Sequence, residues 1–197
     1  MASDQPGLAE AKASLRRHVR AVRAARPPEK RVEAEAALAA RALDLLPAAA
    51  GRIACYLSLA AEPGTATLIA GLRSRGHRVW VPRIEGAALA WVELGTGTEY
   101  RTGPLGISEP AGEADGDLAA MSVILMPATA VDGRGNRLGQ GGGFYDRALA
   151  HVPPSSDGGP LRVALVFDED VVEAVPADTR DQRVDAIVTP TRTLRVG

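Results

Sequence analysis

Residues 136–147 read NRLGQGGGFYDR: four glycines, two adjacent aromatics and flanking charges, set between an apolar run and a helix-compatible segment. No other stretch restricts the fold as strongly. Residues 121–127 (MSVILMP) predict a buried strand, and residues 145–151, anchored by Leu149, predict a helix. A strand, a glycine-rich turn and a helix start leave backbone N–H groups around a concavity, an arrangement suited to phosphate. Gly139, Gly141, Gly142 and Gly143 carry no Cβ, so positive φ and close approach of an anion are open to the main chain. The loop lacks the Gly-Lys-Ser/Thr of a Walker A motif, and Phe144 occupies the third-glycine place of the dinucleotide fingerprint. A mobile glycine turn is the alternative. Against it stand Phe144 and Tyr145, two of only seven aromatic residues, and the charges of Arg137, Asp146 and Arg147, which a metal–phosphate site requires.

At 197 residues, 46% hydrophobic and 24% charged, the chain fits one domain over residues 1–197 with a sizeable core. A net charge of −1 argues against bulk binding of nucleic acid or membrane. The single cysteine, Cys55, excludes a disulfide framework and predicts a buried, inert thiol. Residues 1–8 lack the basic start and apolar core of a signal peptide, and no apolar run is long enough to span a bilayer, so the expected compartment is the cytoplasm. Of 23 basic residues only Lys12 and Lys30 are lysine, so Lys12 reads as chance or as a need for a compact ammonium.

In chain order, residues 8–25 predict an amphipathic helix with Leu8, Leu15, Val19 and Val22 near helical spacing, ended by Pro27 and Pro28. Arg16, Arg20 and Arg23 line its other face, read either as solvated surface or, with Lys12 and Arg16 one turn apart, as cations reaching a polyphosphate. A second helix from about Pro28 to Leu46 has Val32, Leu38, Leu43 and Leu46 as its apolar positions. Residues 52–59 (RIACYLSL) predict a strand, residues 60–64 a turn, and Thr65 an N-cap. Glu62 thus falls at a strand's C-terminal end, where open α/β sheets bind ligands, unless it is an exposed turn carboxylate.

Leu68, Ile69 and Leu72 make a helix stopped by Gly76, and residues 78–83 (RVWVPR) complete a β-α-β unit in which Trp80 is core packing or a stacking platform. Residues 89–94 form a further strand, and residues 95–116 a surface excursion, either plain irregular chain or a segment closing over a ligand. Residues 152–160 are a loop, and residues 162–167 and 184–189 are strands, the last closed by Pro190. Between those strands, residues 178–181 make a polar turn that can aim a carboxylate at the same edge as Asp146. His18, His77 and His151 have no metal-ligand spacing.

With the central motif, KASLR (12–16), YLSLAAE (56–62), VPR (81–83), GPLGISEP (103–110) and DQRVDAIVT (181–189), the chain resembles the 5-formyltetrahydrofolate cyclo-ligase (methenyltetrahydrofolate synthetase) family over nearly its whole length. The resemblance implies a three-layer α/β/α fold with a mostly parallel central sheet, of the kind seen in ribose-5-phosphate isomerase and CoA-transferase proteins. It also implies an ATP- and Mg²⁺-dependent closure of 5-formyltetrahydrofolate to 5,10-methenyltetrahydrofolate with release of ADP and phosphate, carried out by a monomer on small molecules. Carried over by position, Lys12 and Arg16 contact the ATP phosphates. Arg137, Leu138, Gly139, Gln140, Gly141, Gly142, Gly143, Phe144 and Tyr145 form the ATP loop, of which residues 140–144 also touch the folate. Leu57 and Glu62 match substrate positions, with Glu62 toward the pterin N–H edge, and Asp146 and Asp181 match Mg²⁺ carboxylates. Tyr145 and Arg137 are the catalytic candidates, Tyr145 to orient the formyl or phosphoryl group. The chain departs from the family at Arg180, where bacterial relatives commonly have His, and at Phe144, where Tyr is frequent. Rival readings are a sugar-phosphate isomerase or acyl-CoA-type enzyme on the same fold, or a nucleotide- or folate-binding protein without turnover.

Overall fold

The computed structural model describes residues 5–103, 106 and 108–196, so Pro104, Leu105 and Ile107 of the GPLGISEP block, and the first four residues of the chain, lie outside it. The chain begins with α1 (Gln5–Ala24) and α2 (Pro28–Leu45), the latter with proline at its first turn, where a missing N–H costs nothing. A parallel unit follows: β1 (Arg52–Ala54), α3 (Ala66–Ser74) and β2 (Arg78–Glu85). β2 turns back into antiparallel β3 (Ala88–Glu93), and a hairpin of β4 (Tyr100–Thr102) and β5 (Ser108–Pro110) lies within the 95–116 excursion. Then come β6 (Val123–Pro127), β7 (Ala130–Asp132), β8 (Arg137–Leu138), α4 (Phe144–Leu149), β9 (Leu161–Leu165), β10 (Val171–Val172), β11 (Ala186–Val188) and β12 (Thr193–Arg195).

Seven strands form one sheet in the order β12-β11-β9-β6-β1-β2-β3. The five inner strands are parallel and the two edge strands antiparallel. Alternation along the inner strands sorts their side chains onto two faces. Ile53, Val79, Val81, Val123, Leu125 and Val163 pack with Leu38, Ala42, Leu68 and Leu72 of α2 and α3. Their neighbours Ala54, Trp80, Ile124, Met126, Ala164 and Ile187 pack on the opposite face with Leu118, Met121 and Leu149. Trp80 is fully buried, with the Arg52 guanidinium 4.2 Å from its ring centroid, which settles it as core packing.

The expected α/β class, with a large and mostly parallel sheet, is the one observed. Its second face is covered by the six-residue α4, 3-10 turns and loops rather than by long helices. The first helix does not cover that face: Val19 of α1 packs with Ala130, Leu138 and Val175 against a separate small sheet, β10-β7-β8.

Local corrections have identifiable causes. The strand expected over 52–59 ends at Ala54, because Thr65 Oγ1 donates to Tyr56 O at 2.8 Å and Tyr56 Oη donates to Pro63 O, pulling the chain into a buried loop. Thr65 therefore holds that loop and makes no side-chain cap on α3. Val32, expected in the core, is 67% exposed on α2.

Candidate active site

Three segments that leave the sheet converge on a cavity of about 390 Å³. The chain after β1 supplies Tyr56, Leu57, Leu59 and Glu62, and the exit of β6 supplies Pro127, Ala128 and Thr129. The glycine loop between β8 and α4 brings Arg137, Gly139, Gln140, Gly142, Gly143, Phe144, Tyr145 and Asp146. β2, β3 and the β4–β5 hairpin close the remaining wall with Pro82, Ile84, Leu89, Ser108 and Glu109.

Most expected site residues therefore line one cavity. Leu138 does not: it is 2% exposed and packs beneath α1. Lys12, Arg16, Gly141 and Asp181 sit beside the cavity rather than in its wall. Gly141 at φ +110° and Gly143 at φ +63° hold the loop in the left-handed region that side chains with a Cβ avoid.

The basic face of α1 clamps this loop. Arg16 Nε donates to Gly139 O at 2.8 Å and Arg20 Nη2 to Gln140 Oε1 at 2.9 Å. Arg23, one of the three arginines read as possible solvated surface, is buried and paired with Asp170 at 2.7 Å. It also donates to Ala128 O at 2.7 Å and Ala61 O at 3.2 Å, tying two cavity segments to one helix. Burial pushes the Asp170 carboxyl upward, and the Arg23 hydrogen bonds oppose that shift.

Both expected metal carboxylates already face protein cations. Asp146 Oδ1 accepts from Arg137 Nη2 at 2.7 Å and from the Gln182 amide at 3.1 Å. Asp181 Oδ2 accepts from Lys12 Nζ at 2.6 Å and from the Asp178 amide at 2.7 Å. The Asp146 contact to Gln182 sets the two carboxylates beside adjoining stretches of chain. Among the described residues no group of three His, Cys, Asp or Glu side chains is gathered to hold an ion. Two carboxylates nevertheless fit Mg²⁺, which takes one or two of them and completes its shell with phosphate oxygens and water. Arg180, the departure from the family's usual His, pairs with Asp178 at 3.2 Å, and its hydrogen bonds hold that carboxyl down to about 2.

Buried polar atoms without a partner are open to a ligand where they line a cavity. Of six such side-chain atoms among the described residues, three line this cavity: Thr129 Oγ1, Arg137 Nε and Tyr145 Oη. Each costs about 1–3 kcal/mol when left unmet. Burial keeps the Tyr145 hydroxyl far above its ordinary pKa, so it is a donor, and the ring is fixed edge-on to Trp91 at 6.1 Å. Glu62 is 3% exposed, accepts from the Leu59 amide at 3.0 Å and meets Gln140 Nε2 at 3.5 Å. That burial decides against an exposed turn carboxylate, and it raises the carboxyl above the usual value. The thiol of Cys55, pushed up to about 12 by burial, is inert as expected.

Sequence reasoning did not single out Thr129 or Glu109. Thr129 carries no local signal. Glu109 lies in the GPLGISEP block, whose last residues form β5.

The 5-formyltetrahydrofolate cyclo-ligase family profile matches residues 8–190. The chain is 36% identical to the 5-formyltetrahydrofolate cyclo-ligase of Mycolicibacterium smegmatis, covering 72% of this chain and 75% of that one. It is 31% identical to that of Escherichia coli, covering 88% and 97%. The NMR structure of Aquifex aeolicus 5,10-methenyltetrahydrofolate synthetase superposes with a TM-score of 0.81 at 26% identity, covering 94% of this chain and 92% of that one. A glycine loop clamped by α1 over a cavity with unmet buried donors, and a match along almost all of the sequence, lead to one conclusion: the chain belongs to the 5-formyltetrahydrofolate cyclo-ligase family.

Proposed function

We propose that this chain uses ATP to close 5-formyltetrahydrofolate to 5,10-methenyltetrahydrofolate, releasing ADP and phosphate. The formyl oxygen attacks the γ-phosphorus as the bond to ADP breaks. N10 of the folate then attacks the phosphorylated imine carbon, and phosphate departs with the former formyl oxygen, taking up the proton that N10 gives up. Such a reaction depends on alignment and on neutralising charge as it spreads over the phosphoryl oxygens.

The observation that carries this reading is the gathering of Thr129 Oγ1, Arg137 Nε and Tyr145 Oη, buried and unmet, on the cavity beneath the glycine loop. Loop amides with Lys12 and Arg16 hold the triphosphate. Arg137, steered by Asp146, and Tyr145 donate toward the oxygen that links formyl carbon to phosphorus. Leu57 and Phe144 give the pterin apolar contact, and Glu62 takes its N–H edge. Asp146 and Asp181 would hold Mg²⁺, which when bound neutralises phosphate charge.

The parallel inner strands with antiparallel edges support the wider kinship with ribose-5-phosphate isomerase and CoA-transferase proteins. We read the chain as a cytoplasmic monomer acting on small molecules; its net charge of −1 fits a small-molecule substrate rather than nucleic acid, and among the described residues no helix is long and apolar enough to cross a membrane. The test is incubation of the purified chain with 5-formyltetrahydrofolate, Mg²⁺ and ATP, following methenyl-folate absorbance and ADP together. Both should rise in equal amounts. Binding without ADP formation points to a non-catalytic binder, and turnover that needs no ATP points to another enzyme on this fold.

A further inference from the structure

Besides Glu62 and Asp146, a third carboxylate lines the cavity. Glu109 is 3% exposed and sits on β5. The Ile84 amide donates to its Oε1 at 3.0 Å, and among the described residues no other donor and no ion pair reaches it. Arg83, next to Ile84 on β2, turns instead to Glu85 and to the carbonyl of Gly112. The backbone lies tightly over the carboxyl group: a Cβ on Gly103 would come 2.2 Å from Glu109 Cδ. A lone backbone N–H is served as well by a neutral amide, without the cost of burying a charge. A buried carboxylate with one donor and no ion pair among the described residues, in a ligand cavity, is placed to meet donors brought by the ligand.

A reduced pterin brings such donors on more than one edge. N3–H and the 2-amino group form one pair that a single carboxylate can span, and N8–H projects elsewhere on the ring. Glu62 alone cannot meet them all. We propose that Glu109 is a second specificity-determining carboxylate for the substrate, accepting a pterin N–H that Glu62 leaves unmet. This rests on the folate reading of the cavity, and it assigns β5 to substrate recognition rather than to plain surface.

The test compares full-length wild type with Glu109→Gln, whose amide oxygen keeps the Ile84 hydrogen bond. Calorimetry gives the Kd for 5-formyltetrahydrofolate without ATP, and steady-state rates give KM for each substrate. Glu109→Gln should weaken folate binding roughly tenfold to hundredfold while the KM for ATP stays within about twofold of wild type. Repeating the calorimetry with folate analogues carrying carbon at position 8, or lacking the 2-amino group, identifies the partner. The wild-type advantage should fall toward one for at least one of them. Folate binding within about twofold of wild type, or an advantage undiminished with both analogues, overturns the proposal. If Glu109→Gln fails to fold, Gly103→Ala, which presses on the same carboxylate, is judged by the same outcomes. Wild type that turns over folate beside an unaffected Glu109→Gln refutes only the role of Glu109; wild type that binds no 5-formyltetrahydrofolate refutes the folate reading and this proposal together.

Discussion

Lys12 Nζ lies 2.6 Å from Asp181 Oδ2, so the one lysine of the first helix holds a carboxylate that the proposed reaction needs for a divalent ion. Arg137 holds Asp146 in the same way at 2.7 Å. Both carboxylates are thus oriented and neutralised by the protein's own cations before nucleotide arrives.

Replacing Lys12 with Ala removes one of those cations, a partly buried side chain, with modest effect on folding. The KM for ATP should rise about tenfold, with the KM for 5-formyltetrahydrofolate little changed. Initial rates against ATP concentration check this. An unchanged ATP dependence returns Lys12 to a purely structural ion pair.

Asp146→Asn and Asp181→Asn keep side-chain volume and remove the charge. Each should lower Mg²⁺-dependent ATP use by about a hundredfold and raise the Mg²⁺ concentration for half-maximal rate, while the melting temperature moves by only a few degrees. Wild-type rates in both variants rule out the metal assignment.

Arg23 bears on stability rather than chemistry. Its guanidinium joins the fully buried Asp170 to the carbonyls of Ala61 and Ala128, and truncation leaves that carboxylate unpaired. Arg23→Ala should cost about 3–5 kcal/mol in urea unfolding. A loss below about 1 kcal/mol places the pair among ordinary surface bridges.

Glu62 carries a pH signature. Its folded-state carboxyl lies above the ordinary value of 4.5 because burial disfavours the charge. A raised acid pKa gives stability that is fully present below the unfolded value and lost as pH rises through the folded one. Glu62→Gln should therefore melt above wild type near neutral pH, with the difference shrinking as pH falls toward 4.5, while folate binding weakens. Thermal melts across that range test it. A variant less stable than wild type at neutral pH contradicts it.

The parts legible in the sequence were those with a strong local period or an unusual composition. Short apolar runs bounded by turn residues marked the segments that became β2, β6 and β9, whereas the alternating run 52–59 became a strand only as far as Ala54, and four glycines beside Phe144 and Tyr145 located the loop. The missed elements were short or depended on distant chain. β7, β8 and β10 have two or three residues each, too few for a period to register. Helical spacing identified the apolar side of α1, but not that its basic side would be turned onto Gly139 and Gln140. Arg23 therefore looked like its exposed neighbours. Glu109 was hidden because its segment has neither alternation nor helical spacing, and its partner Ile84 lies on a strand 25 residues away. Val32 sits at an apolar helical position, yet it is left exposed on α2.

In the proposed reaction the formyl group beside Arg137 and Tyr145 and the γ-phosphate on the glycine loop meet in a single cavity. Turnover of 5-formyltetrahydrofolate carrying ¹⁸O in its formyl oxygen, with unlabelled ATP, reads this out through mass analysis of the released phosphate. Transfer of that oxygen to phosphorus predicts one labelled oxygen in each inorganic phosphate formed. Unlabelled phosphate accompanying methenyl-folate would mean that ATP is hydrolysed by water and that the two groups do not react with each other.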